Sequence, residues 1–279
     1  MLGFGKKKAF TINGLENYEL PSFSVSVINL LGKLRDPDCS FTAIANDFEV
    51  DPGLHVRALK TVNSVAFGLS HKVSSVHHAV SLLGRARLES LVLSVAVKNN
   101  LDSENMPDWF DMNSFWRAAA RRAALARGLA QKLHPETQSE SFTAGLLQDM
   151  AVPVITKLKN TKYQQLYEQW NLVEDETNLV ELEKCNLNLD HANIGAQMAK
   201  GWGFPTNLIE MINCHHAPIN SPGIPQSVQI VALLKGNPEI PLFEMAPRIE
   251  KIFNLDQTLL RDIAMQAEED AEELAEALR

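Results

Sequence analysis

Apolar positions along this chain recur at three- and four-residue spacing almost throughout, and convincing period-two alternation is scarce. Phe23, Val27, Leu30, Leu31 and Leu34 share one side of a helix opened by Pro21 and stopped at Asp36-Pro37. Ser40 is placed to cap a second helix with Phe41, Ile44, Ala45 and Phe48 inward, and Asp51-Pro52 is a strong start signal for a third. Ser75 begins a short helix to Leu83, with Gly84 as its left-handed stop, and Arg87 to Lys98 is apolar on most sides. An alanine-rich helix over about 114–133 follows a surface connection at Asp102 to Pro107. Further helical patterns cover 161–170, 176–185, 190–200, 206–215 and 226–235, with Gly201 and Gly236 as stops. Asp256 caps a last long helix, apolar along Leu260, Ile263, Ala267, Ala271, Leu274 and Leu278 and acidic on its other face. The expectation is an all-α chain, irregular and two-lobed, with the lobes meeting near residues 100–113.

One stretch stands apart. Glu140 to Val154 holds a buried-helix pattern (Phe142, Ala144, Leu146, Leu147, Met150) that runs into an adjacent amide and acid, Gln148 and Asp149. Polar groups at the end of a buried helix must be hydrogen-bonded, ligated or turned to a cavity, because unpaired burial costs several kcal/mol. Thr137 with Glu140 fits a capping box at its start, and Pro153 predicts a kink or an end.

Charge narrows the function classes. The formal net charge of −8 argues against a general nucleic-acid binder, although Arg117, Arg121, Arg122, Arg127 and Lys132 cluster in the middle. Three scattered cysteines, Cys39, Cys185 and Cys214, fit reduced thiols better than a disulfide framework. No apolar run approaches the roughly 20 residues that span a bilayer. Lys6-Lys7-Lys8 is followed by no signal-like apolar segment, so a cytoplasmic location without membrane contact is expected.

The candidate chemistry lies in Gln148-Asp149, His191 and Cys214-His215-His216. An acid and neutral imidazoles can converge on a divalent ion such as Mn, Fe or Mg, which would activate water and polarise a phosphoryl group. Each residue also has a plainer reading. Asp149 reads as a structural acid at a helix end, His191 as a first-turn histidine, and His215-His216 as imidazoles favoured by a helix C-terminus. The arginines from 117 to 127 read as a solvated basic face or as a site for a nucleotide phosphate, with Arg117, Arg121 and Gln148 as the candidate ligand contacts.

Several motifs together resemble the HDOD domain. Leu20-Pro21, Asp36-Pro-Asp38, Asp51-Pro52, Asn63-Ser64 with Phe67-Gly68, Val73-Ser-Ser-Val76, Leu82-Leu83-Gly84 and Leu91-Val92-Leu93 are similar to its first half. Phe115-Trp116, Ala144-Gly-Leu-Leu147 with Asp149, Glu183, His191 with Gly195, Trp202 with Pro205, and His215-His216 are similar to its second. The resemblance implies a domain over residues 20–218, an N-terminal segment 1–19 and a C-terminal helical extension 219–279. It implies an HD-related helical fold whose members have generally lost the metal ligands of the HD phosphohydrolases and serve bacterial signalling. The first histidine of the active relatives would fall near Ala118, their His-Asp doublet is Gln148-Asp149, and their following Gly-Lys is Ala151-Val152. The expectation is a non-catalytic regulatory module with no metal and an unidentified protein partner. The alternatives are a phosphohydrolase with a vestigial or working site at Asp149, His191, His215 and His216, and a nucleotide sensor without turnover.

Overall fold

In the computed structural model, residues 12–15, 18–64, 72–101, 106–172, 179–234 and 241–278 are described. The expectations that rest on Lys6–Lys8, Phe67-Gly68, residues 102–105, Glu176 and Lys235-Gly236 fall outside them. No strand occurs among the described residues, and the fold class is the all-α, irregular helical one that the periodicity predicts.

Four helices make the N-terminal half: α1 (Val25–Arg35), α2 (Phe41–Val50), α3 (Pro52–Val62) and α4 (Val76–Leu101). Their starts follow local chemistry. Ser24 Oγ accepts from the Val27 amide, Ser40 Oγ from the Ala43 amide and Asp51 from the Leu54 amide. The first helix therefore begins at Ser24 rather than Pro21, because a hydroxyl can accept an orphan amide and a proline ring cannot. Gly84 breaks α4 at φ 70° and ψ 174°, a backbone state that only glycine reaches without steric cost. Phe41 departs from the expected inward set: it is 44% exposed, under the Arg85 guanidinium at 5.3 Å. Arg85 also donates to the carbonyls of Lys33 and Pro37, tying the α1–α2 turn to α4.

The second half is built on α5 (Met112–Leu133) and α6 (Gln138–Leu147). They approach closely because Gly145 has no side chain: a Cβ there would lie 2.9 Å from the Arg122 carbonyl oxygen. Thr137 makes no capping bond at the α6 start; its hydroxyl contacts His134 and Ser141 instead. After a turn through Gln148 and Asp149 the chain continues as α7 (Val152–Leu172), so Pro153 sits in the first turn of a helix, where it lacks no needed donor. Asn160, at φ 26°, breaks α7 and accepts from Trp109 Nε1. Helices α8 (Leu179–Leu187), α9 (His191–Gly201) and α10 (Thr206–Asn213) follow.

Helices α11 (Gln226–Val231), α12 (Ala246–Phe253) and α13 (Gln257–Leu278) close the chain. The α13 stripe Leu260, Ile263, Ala267, Ala271 and Leu274 is buried, and α13 packs along α5. Its acidic face meets the basic face of α5. Glu268 takes both Nε and Nη2 of Arg121 and also accepts the Leu242 amide, and Glu272 pairs with Arg117 at 3.1 Å. Glu268→Ala removes all three Glu268 bonds. With Glu268 35% exposed, screening holds the expected loss to about 1–2 kcal/mol, read as a lowered urea midpoint. Arg117→Ala, at an exposed pair, is expected to change that midpoint by much less.

Candidate functional site

Three elements bring the candidate residues together. Asp149 lies in the turn between α6 and α7, His191 is the first residue of α9, and His215-His216 follow α10. Asp190 sets the α9 start by accepting the Ala192 and Asn193 amides, which fixes where His191 projects. One ligand-capable atom from each of Asp149, His191, His215 and His216 falls within 4.8 Å of all the others.

Asp149 divides its oxygens. Oδ1 lies 3.5 Å from His191 Nε2 and 3.4 Å from His215 Nε2, and Oδ2 is 2.9 Å from Arg122 Nη2. Its side chain thus answers a guanidinium and two imidazoles rather than a helix end. Burial opposes its ionisation, yet Arg122, His191 and His215 hold the carboxyl well below the usual carboxylate range.

Two of the histidines, His191 and His215, are anchored from behind. Both the backbone amide and Nδ1 of His191 bond Glu183 Oε2 at 2.8 Å, and Glu183 Oε1 accepts from Tyr163 Oη at 2.5 Å. His215 Nδ1 is 2.7 Å from the Ile212 carbonyl, an acceptor only, so Nδ1 carries the hydrogen. The helix-end role and the site role of His215 are therefore both real: one ring nitrogen serves α10 and the other turns to Asp149. His216 lies against His215 with ring centroids 4.1 Å apart and planes tilted by 46°, and burial, with His215 and His191 close by, pushes its pKa well below the usual imidazolium range.

His191 carries a pH signature. Burial alone would depress its imidazolium, but Glu183 and Asp149 outweigh burial and push its pKa up to about 10. A raised folded-state value adds stability that is fully present below the unfolded value of 6.5 and is lost as pH rises through about 10. Urea midpoints of the metal-free protein are accordingly expected to fall steadily from pH 7 to 10. In His191→Gln that part of the slope is expected to vanish, and an unchanged slope would refute the assignment.

The arrangement fits a cation in one respect and opposes it in another. Two imidazoles oriented through Nδ1 by a carboxylate and a carbonyl, with Nε2 inward beside an acid, are the ligand geometry of an N/O metal site. Asp149, His191, His215 and His216 are the residues that would hold an ion, which would supply water activation and phosphoryl polarisation. Against this, Ala118 and Gln148 offer a methyl group and a carboxamide. Ala118 borders, with Arg122, Asp149, Tyr167 and Trp170, a cavity of only about 10 Å³. Gln148 is buried, and among the described residues its Oε1 has no hydrogen-bond partner.

The other sequence candidates lie elsewhere. Arg117 and Arg121 face α13, as described above, and not Asp149. Arg122 is the arginine that reaches the site, buried to 2% exposure. The sequence pointed to the cluster of arginines but not to which one turns inward. The available signal was position: Arg122 follows Ala118 by one helical turn and so shares its face. Glu183 and Tyr163, both fully buried, were likewise not singled out as site residues.

The described residues form the all-helical, HD-related fold, with an acid and three histidines gathered near helix ends. The HDOD domain model matches residues 20–218, and the chain belongs to the HDOD domain family. It is similar in fold to a proposed phosphohydrolase of Shewanella amazonensis SB2B (TM-score 0.74, 22% identity, 93% of this chain and 95% of that one). It is also similar to an HDOD domain protein of unknown function from Geobacter sulfurreducens (TM-score 0.68, 19% identity, 95% and 93%). An uncharacterized protein of Treponema pallidum is 24% identical over 94% of this chain, which spans about half, 49%, of that relative's length. No helix among the described residues is long and apolar enough to cross a membrane.

Proposed function

We propose that this chain is a non-catalytic regulatory module of the HDOD family that acts through a protein partner and retains a degenerate HD pocket. The observation that carries the reading is the buried Arg122–Asp149 ion pair at 2.9 Å beside a cavity of about 10 Å³. Pockets that hold nucleotide-sized ligands measure roughly 300–1,000 Å³. The space beside Asp149 is at the lower limit for one water molecule. That cavity cannot admit a substrate phosphate, and the Asp149 carboxylate is already paired with a guanidinium. The names of similar solved proteins, which propose phosphohydrolase activity, do not bear on this pocket at such low identity.

The test is turnover by the full chain, purified without chelator, on a panel of nucleotides and an aryl phosphodiester with manganese. No rate above buffer is expected. Turnover that Asp149→Asn abolishes would establish the alternative, a metal-dependent phosphohydrolase working through Asp149, His191, His215 and His216. That alternative is supported by the 4.8 Å convergence of those four groups. Affinity capture with the full chain is expected to recover a reproducible protein partner. The sensor reading has some support in a cleft of about 400 Å³ between α5 and α13, lined by Arg127, Gln131, Lys132 and Gln266 and also by Asp262 and Asp270, the latter 3.9 Å from Arg127. A nucleotide that raises the thermal midpoint would favour it.

A further inference from the structure

We propose that Arg122 is the resident cation of this pocket, and that its guanidinium, rather than loss of the ligands, keeps a metal ion out. The inference rests on the non-catalytic reading above and adds to it the residue that enforces the metal-free state.

The ligand set is largely ready. Asp149 Oδ1, His191 Nε2 and His215 Nε2 already meet, and the Nδ1 atoms behind them are held by Glu183 and the Ile212 carbonyl. That is the outward support a metal-bound imidazole needs. Beyond the methyl group and carboxamide at Ala118 and Gln148 and the proton that His191 would have to give up, a further feature opposes an ion at this point: a full positive charge 2.9 Å from the other oxygen of the same carboxylate. Like charges confined to a low-dielectric site repel strongly. Arginine cannot relieve that repulsion by losing its proton, as a lysine could.

The placement of Arg122 supports the same role. The side chain is 3% exposed, and among the described residues its buried Nε and Nη1 have no hydrogen-bond partner. Burying a guanidinium with two donors unused is costly. The bond that compensates is the one to Asp149. Ala118, one turn earlier on α5, borders the same small cavity. The positive charge a divalent ion would bring to Asp149 is thus supplied from inside the chain.

The test compares wild type with Arg122→Met and Arg122→Gln, stripped with chelator, desalted and titrated with Co²⁺, followed by visible absorption and calorimetry. Circular dichroism and cooperative melting verify the fold first. The neutral variants are expected to bind one Co²⁺ per chain at least about a hundredfold more tightly than wild type, the size of effect a removed neighbouring charge gives. Asp149→Asn in the Arg122→Met background is expected to abolish the gain, which locates the ion. Folded variants that bind cobalt no better than wild type overturn the proposal and leave the non-catalytic reading standing. Turnover by wild type sinks that earlier reading instead. If neither neutral variant folds alone, refolding with Co²⁺ decides. An ion that replaces the lost charge rescues the native state, as any ligand of the folded form does, and absence of rescue overturns the proposal.

Discussion

Asp149→Ala is expected to destabilise the protein by about 3–5 kcal/mol, the range for removing one partner of a buried ion pair. The loss falls on what remains. Arg122, already lacking partners at Nε and Nη1, would lose Nη2 as well, and His191 Nε2 and His215 Nε2 would face a methyl group. Urea denaturation measures it, and a change under 1 kcal/mol would show that the pair contributes little. A paired replacement, Arg122→Met with Asp149→Leu, is expected to recover most of the loss, because apolar groups of similar volume need no desolvated charge balanced. The double-mutant cycle therefore distinguishes an electrostatic hub from a packing position.

Ending the chain at residue 218, where the family match stops, is expected to abolish cooperative folding. Helices α11 and α13 both pack on α5, and Ser227 Oγ bonds Ser141 Oγ in the interior. Without them the α5 face at Ala124 and Gly128, which meets Ile263 and Ala267 of α13, loses its cover, and Arg121 loses Glu268. Exposed apolar area of that extent drives association. Gel filtration and near-ultraviolet circular dichroism of the 1–218 fragment check this. A monomer with a single sharp unfolding transition would mean that the last helices are an accessory layer.

Helix existence was legible because it depends on spacing and caps. Ser40, Asp51, Gly84, Asp190 and Asp256 mark boundaries in the sequence and perform those roles in the fold. Position was less legible where the outcome depends on tertiary neighbours. Phe41 is at an inward spacing but lies under Arg85, and the α12 segment (Ala246–Phe253) is absent from the helices read from the sequence although its apolar positions have helical spacing. The site follows the same division. The residues Asp149, His191, His215 and His216 could be named from type alone, and their convergence depends on the α6–α7 turn and the ends of α9 and α10. Which of Arg117, Arg121 and Arg122 faces Asp149 is a matter of helix phase relative to two different partners, α13 and the α6–α7 turn. Spacing gives the relative phase of those residues but not the absolute direction.

Gly145 sets more than a helix spacing. The Arg122 carbonyl lies just beyond its α-carbon, on the same residue whose side chain reaches Asp149, and Asp149 itself is four positions further along the chain. The backbones of α5 and α6 therefore act as a fixed caliper whose opening is the guanidinium–carboxylate distance. A methyl group at 145 would wedge that caliper apart without touching either charged group, so the pocket's electrostatics can be retuned from a position that carries no polar atom of its own.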